Sequence, residues 1–162
     1  MLKLTKKSDY GLIALRHMAV GDRSAVATSK EIAETYRIPL PLLSKVLQAL
    51  CRRGFVTSEQ GASGGYRLAR DPGRISALEV IRAIDGPVFL ASCFHEEKDC
   101  EQQHTCTVKE PLRKVHEGIL RLLESITISD LAADLPDLPV PMKAAPPTKM
   151  IWPVAAASER SL

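Results

Sequence analysis

The sequence predicts a mainly α-helical fold with one small β-hairpin. Apolar residues recur at helical spacing through five segments, and two short strand-like runs, at 55–57 and 66–68, flank a glycine-rich turn. Aromatic residues make up only 4% of the chain. With 162 residues, 45% hydrophobic and 25% charged, the composition is that of a globular protein with its own core.

Three helices are expected before the hairpin. Residues 5–20 are apolar almost all round, which is typical of a buried helix. Residues 28–31 have the form of a capping box, which predicts the start of a short helix that residues 37–39 end. The third helix has one apolar face, formed by Leu42, Leu43, Val46, Leu47 and Leu50.

Two further helices are expected after the hairpin, whose turn at 61–65 (Gly-Ala-Ser-Gly-Gly) needs positive φ angles. Capping boxes at 76–79 and 107–110 predict where these helices begin. Pro and Ala dominate from residue 136 on, so the tail is expected to be disordered. Apolar residues three and four apart in the last helix form a narrow seam, typical of a helix that pairs with another helix: Leu112, Val115, Ile119, Leu122 and Ile126.

The order of these elements is the layout of a winged helix-turn-helix, in which the third helix enters the major groove of DNA. On its polar face Ser44, Lys45 and Gln48 can hydrogen-bond base edges, and Arg52 at its end suits a phosphate. A helical domain whose polar face only meets water would carry the same stripe. The candidate DNA contacts at the hairpin are Gln60, Ser63, Gly64 and Arg67.

Charge is distributed unevenly along the chain, whose net charge is +3. Residues 1–75 carry 13 Lys/Arg and six Asp/Glu, whereas residues 76–162 carry nine and 13. A basic N-terminal half suits a polyanion, because neutralising phosphates releases counterions. A solvated basic face would carry the same charge, so the asymmetry supports DNA binding only together with the hairpin and the order of the helices.

Three of the four cysteines fall within 14 residues, at Cys93, Cys100 and Cys106, with the spacing Cys-x6-Cys-x5-Cys. Thiolates are the usual ligands of iron–sulfur clusters. Three thiolates with a histidine also suit zinc, although the Cys-x2-Cys pairs common in zinc sites do not occur in this sequence. Three ordinary free thiols are the remaining alternative. The fourth cysteine, Cys51, ends the third helix and is expected to be a buried thiol.

Three stretches of the chain resemble the bacterial Rrf-type winged-helix regulators, a family that includes the iron–sulfur regulators IscR and NsrR. They are residues 4–5 (Leu-Thr), 9–12 (Asp-Tyr-Gly-Leu) and 61–68 (Gly-Ala-Ser-Gly-Gly-Tyr-Arg-Leu). The resemblance covers about residues 1–132. It implies a homodimeric transcription regulator that binds a partly palindromic double-stranded DNA operator, with the last helix as the dimer element.

The resemblance also implies an iron–sulfur cluster at the three cysteines. IscR- and NsrR-like proteins have five residues in each gap, whereas six in the first gap resembles the regulators encoded with the SUF cluster-assembly system. This favours a repressor of SUF-type genes that holds a [2Fe–2S] cluster, with [4Fe–4S] as the alternative. IscR-like proteins place a histidine where this chain has Lys109, but NsrR-like proteins use a first-helix aspartate of the other subunit, which corresponds to Asp9. Asp9 is the expected fourth ligand, His104 the alternative and His95 a poorer one.

Several other classes of protein are not expected. No run approaches the roughly 18 apolar residues of a membrane helix, and the first residues lack the apolar core of a signal peptide, so we expect a cytoplasmic protein without a membrane partner. No nucleotide-binding or metalloprotease motif is present, so neither an enzyme nor a small-molecule substrate is expected. Two alternatives stay open: a zinc- or thiol-based winged-helix regulator, and a cluster-carrying electron-transfer or assembly protein that does not bind DNA. The expected division of the chain is a DNA-binding domain at 1–86, a cluster-binding loop at 87–106, a dimerisation helix at 107–132 and a disordered tail at 133–162.

Overall fold

The computed structural model describes residues 4–21, 25–61, 64–91, 94, 101–102 and 105–133. These residues form α-helices, one two-stranded antiparallel sheet and a 3₁₀ turn at Pro72–Arg74, which confirms the predicted fold class. None of the described helices is long and apolar enough to cross a membrane. In chain order the elements are α1 Lys6–Val20, α2 Ser29–Tyr36, α3 Leu40–Arg52, β1 Val56–Glu59, β2 Gly65–Leu68, α4 Ala77–Asp85, α5 Lys109–Ser125 and α6 Ile128–Ala132.

The core lies where α1 packs against α3, α4 and α6. The apolar face predicted for α3 is buried apart from Leu42, which is half-buried. α1 is less buried than its composition predicts, since Leu12 and Ile13 are only half-buried and Val20 is exposed. The largest fully buried apolar side chains are Leu15, Ile32, Leu43, Leu47, Leu50, Ile75, Leu78 and Ile128.

The first two predicted capping boxes are confirmed. The Thr28 hydroxyl accepts a 3.0 Å hydrogen bond from the Glu31 backbone N–H, and the Glu31 carboxylate accepts one from the Thr28 backbone. Ser76 and Glu79 form the same pair at the start of α4. The short helix α2 ends as expected after Tyr36, because Arg37 adopts a left-handed conformation with φ 54°.

The predicted capping box at 107–110 is wrong. α5 begins at Lys109, after Val108, and no side chain caps it. The carboxylate of Glu110 instead pairs with Arg113 at 2.8 Å. The single helix predicted over 107–132 is also interrupted, because α5 ends at Ser125.

α6 begins with a capping box that was not predicted from the sequence. The backbone N–H of Thr127 donates to the Asp130 carboxylate at 2.8 Å, and the Thr127 hydroxyl accepts from the Asp130 backbone at 3.1 Å. The intervening Ile126, the last residue of the predicted seam, has an extended backbone. Its carbonyl accepts a 2.8 Å hydrogen bond from the Ala77 backbone, so the end of α5 is joined to the start of α4.

Backbone hydrogen bonds join the two strands of the hairpin to each other and to the segment before α2. Val56 pairs with Leu68 and Glu59 with Gly65, and Ala27 forms a further bridge to Tyr66 through two bonds of 2.8 and 2.9 Å. A Cβ atom on Gly65 would lie 2.5 Å from the Ala27 carbonyl oxygen, so only glycine permits this close approach. The Phe55 backbone N–H donates a 3.0 Å hydrogen bond to the Leu50 carbonyl, so the hairpin lies next to the C-terminal end of α3.

Candidate nucleic-acid interface and cysteine segment

The predicted reading face of α3 meets solvent. Lys45, Gln48 and Arg52 are exposed and Ser44 is half-buried. Their spacing of three and four residues places them on one side of the helix, opposite the side that packs into the core. An amide, an ammonium and a guanidinium in one row can hydrogen-bond bases and phosphates.

A surface pocket of about 270 Å³ lies where α3 meets the hairpin. It is lined by Gln48, Cys51, Arg52, Ser58 and Tyr66. Cys51 is half-buried rather than buried, so the prediction of a buried thiol is wrong. The reason is that Cys51 lies at the edge of the core in the last turn of α3, where its side chain also lines the pocket beside the hairpin. The hairpin side chains of this pocket were not found from the sequence, because only the fold brings β1 and β2 to α3.

The hairpin tip is built from close backbone contacts. A Cβ atom on Gly64 would lie 2.7 Å from the Glu59 carbonyl oxygen, so the turn itself requires glycine there. Gln60 is exposed, and the Nε atom of exposed Arg67 lies 3.0 Å from the Glu59 carboxylate. An exposed ion pair contributes at most about 1 kcal/mol, so Arg67 can exchange this carboxylate for a phosphate at little cost. Ser63 lies outside the described residues.

Most of the predicted metal ligands lie outside the described residues: Cys93, His95, Cys100 and His104. Cys106 is described, as a half-buried free thiol shortly before α5. Asp9 is exposed in the first turn of α1 and, with Leu4, Thr5 and Lys6, lines a surface pocket of about 490 Å³. Within the described part of the chain, no three His, Cys, Asp or Glu side chains lie close enough together to hold a metal ion.

Two contacts join helices to residues around the start of the cysteine segment, residues 93–106. At the end of α4, the Asp85 carboxylate accepts hydrogen bonds from the Thr5 hydroxyl at 2.7 and 2.9 Å and from the Ser8 hydroxyl at 2.6 Å. Ser8 is fully buried, so this contact joins α4 firmly to the start of α1.

The second attachment is aromatic. The ring of His116 in α5 stacks on Phe94, with centroids 5.1 Å apart, and on Phe89, with centroids 6.3 Å apart. Phe94 directly follows Cys93 in the sequence. The segment between α4 and α5 is thus in contact with α5 close to its first cysteine.

α5 carries an apolar face that no other described part of the chain covers. None of its residues is buried, and Leu112, Val115 and Leu122 are 36%, 51% and 38% exposed. Arg113 hydrogen-bonds Glu110 and also pairs with Glu117; its hydrogen bond and charge lower the pKa of the Glu110 carboxyl. The helix therefore combines a surface ion-pair network with an exposed apolar row.

Comparison with known proteins identifies the family. The sequence profile of the Rrf2 family, described as an iron-dependent transcriptional regulator, matches residues 4–134. The HTH-type transcriptional regulator NsrR of Shouchella clausii is 31% identical over 138 residues, which are 85% of this chain and 93% of that protein.

Two solved structures share the fold at similar identity. CymR, the global cysteine regulator of B. subtilis, superposes with a TM-score of 0.70 at 29% identity, covering 82% of this chain and 97% of that one. IscR of T. potens superposes with a TM-score of 0.62 at 31% identity, covering 80% and 85%. These relatives are regulators rather than enzymes, as the sequence predicts. The exposed α3 face, the hairpin and these matches together place the chain in the Rrf2 family of DNA-binding transcriptional regulators.

Proposed function

We propose that this regulator is a homodimer that binds a double-stranded DNA operator and senses an iron–sulfur cluster held by residues 93–106. Its targets would be SUF-type cluster-assembly genes, which it represses. The observation that carries the DNA-binding part is the exposed polar row on α3 beside a hairpin whose tip requires glycine. A cytoplasmic location follows from this function.

The reading face has dimensions that suit the major groove. α3 spans 13 residues, about 20 Å at 1.5 Å per residue. An α-helix with its side chains is about 10–12 Å across, so it fits the major groove, which is about 12 Å wide. In this proposal Lys45 and Gln48 would contact base edges, and Arg52 and Arg67 would contact phosphates. Substituting Lys45 or Gln48 with alanine should relax sequence preference by about 1–3 kcal/mol per lost bidentate base contact.

A matched control for these substitutions lies on α5. Lys114 is an exposed cation outside the reading face, so Lys114→Ala should leave sequence preference unchanged. The measurement is operator preference by fluorescence anisotropy at fixed salt, because phosphate contacts make affinity depend on salt. Unchanged preference in both α3 variants would refute the assigned reading face.

The exposed row on α5 supports a dimer. Leu112, Val115 and Leu122 repeat at the spacing of a helix–helix seam, and a second copy of the same row is the simplest partner for a symmetric assembly. Val115→Glu should produce monomers in analytical ultracentrifugation, whereas Lys114→Glu beside it should not. A Val115→Glu variant that stays dimeric would show that another surface joins the subunits.

The chemistry of the cysteine segment supports a cluster. Three thiolates within 14 residues of sequence can act together as ligands of a compact iron–sulfur core, and Cys106 is partly open to solvent. A bound cluster would supply a redox-active centre whose loss or oxidation changes the local ligand set. Asp9 is the proposed fourth ligand, because it is an exposed carboxylate that a partner subunit can offer; His104 is the alternative.

Two contacts near the start of residues 93–106 support coupling between the cysteine segment and DNA binding. Asp85 joins the end of α4 to α1, and Phe94 contacts His116 in α5. A cluster bound by residues 93–106 would therefore bear on the angle between the DNA-binding part and the dimer helix. Since paired half-sites lie about one DNA turn apart, a small change in that angle alters operator affinity.

The experiment that tests the cluster is visible absorption with iron and sulfide analysis on protein purified without oxygen. The proposal predicts a brown protein with matched iron and sulfide, and greater cluster lability in Asp9→Ala than in His104→Ala. A colourless protein with zinc, or without metal after reconstitution, would leave a zinc- or thiol-based regulator. A coloured protein without salt-dependent DNA binding would instead point to electron transfer or cluster assembly.

A further inference from the structure

The first turn of α3 is apolar and exposed. Leu40, its first residue, is 41% exposed, and Pro41 beside it is also exposed. Single exposed leucines are common on protein surfaces, so their position on the helix matters. Pro41, Lys45, Gln48 and Arg52 are separated by four, three and four residues, which places Pro41 at the N-terminal end of the polar row, with Leu40 one residue before it.

This position limits what the turn can read in DNA. In helix-turn-helix proteins the residues near the N-terminus of the recognition helix contact base edges. The side chains of Leu40 and Pro41 have no hydrogen-bonding group, and Pro41 also lacks a backbone N–H. The apolar feature of the major groove is the C5-methyl group of thymine.

We propose that Leu40 and Pro41 contact thymine methyl groups and so select A·T pairs in each operator half-site. The inference rests on the proposed binding of DNA through α3, and it adds which bases the first turn selects. Lys45 and Gln48 would then read polar base edges further along the same row. Specificity would be divided between an apolar end and a polar middle of one helix.

Leu40 can be changed without disturbing the core. The buried residues of α3 are Leu43, Val46, Leu47 and Leu50, and Leu40 does not belong to the core that they form. Alanine also favours helix more than leucine does. Leu40→Ala should therefore keep the circular dichroism spectrum and the dimer of the wild-type protein, leaving DNA recognition as the property that changes.

The test uses the duplex that the wild-type protein selects from a randomised library. Each thymine of a half-site is replaced singly by deoxyuridine, which removes only the methyl group, and affinity is measured by fluorescence anisotropy at fixed salt. Wild-type protein should lose about fourfold in affinity at one or two positions, the effect of one buried methyl group. Leu40→Ala should bind the unmodified duplex more weakly and show no further loss at those positions.

Val20→Ala is the matched control, since Val20 is an exposed apolar residue at the C-terminal end of α1, outside the recognition helix. This variant should keep the deoxyuridine sensitivity of the wild-type protein. Uniform tolerance of deoxyuridine by wild-type protein, or an unchanged deoxyuridine penalty in Leu40→Ala, would overturn the inference while DNA binding stands. Failure to select any duplex would overturn the proposed function and the inference together.

Discussion

Replacing Asp85 with alanine is expected to destabilise the protein through a single buried hydroxyl. Ser8 is fully buried and donates a 2.6 Å hydrogen bond to the Asp85 carboxylate. Thr5, the other donor to this carboxylate, is exposed and can turn to water instead. The cost is therefore that of one buried hydroxyl without its acceptor, about 1–3 kcal/mol, or roughly 5 °C in melting temperature for a chain of this size.

Variants at the two positions separate the hydrogen bond from other effects. Asp85→Asn keeps an acceptor oxygen and should cost less than Asp85→Ala. Adding Ser8→Ala to Asp85→Ala should restore part of the loss, because removing both partners leaves no unsatisfied group. Thermal unfolding followed by circular dichroism measures all four proteins. A melting temperature within 1 °C of wild type for Asp85→Ala, or a double variant that is less stable than Asp85→Ala, would refute this reasoning.

Three further predictions concern the wing, α6 and the core. Gly65→Ala should weaken DNA binding and cost about 1–3 kcal/mol in chemical denaturation, since the new Cβ atom would meet the Ala27 carbonyl at 2.5 Å; an unchanged denaturation midpoint would contradict the close contact. Asp130→Ala should cost about 1 kcal/mol. Hydrogen bonds from the Thr127 side chain and backbone lower the pKa of Asp130, so in wild-type protein this stabilisation is present above about pH 4 and is lost as pH falls through the lowered pKa. Melting curves between pH 6 and 2 should show the difference in melting temperature between wild-type protein and Asp130→Ala shrinking in acid. A difference that stays constant over this range would exclude the Asp130 carboxylate as its source. Leu47→Ala should cost about 2–5 kcal/mol because Leu47 is fully buried, whereas equal costs for Leu47→Ala and Leu40→Ala would contradict the orientation of α3.

Local patterns explain which elements could be predicted from the sequence. The capping boxes at 28–31 and 76–79 involve residues three apart, so the pattern alone predicts two helix starts. The same pattern at 107–110 failed because Arg113 provides another partner for Glu110. The start of α6 was missed because the helical seam continued through Ile126, although its backbone is extended there.

Contacts between distant residues could not be predicted in this way. Ser8 and Asp85 lie 77 residues apart, and neither belongs to a recognisable motif. The pocket that joins Cys51 to Tyr66 forms only when the hairpin folds back on α3. The exposed polar row on α3 was predictable because a single helix carries it.

The measurement that tests the central claim most directly compares operator affinity with and without the cluster. Protein purified without oxygen would be measured by fluorescence anisotropy at fixed salt, before and after removal of iron by a chelator, on a duplex selected from a randomised library. The proposed function predicts that the two affinities differ by at least several-fold, since coupling between two sites is typically 5–150-fold. Equal affinities would contradict cluster sensing, and the protein would then be a DNA-binding regulator whose signal lies elsewhere.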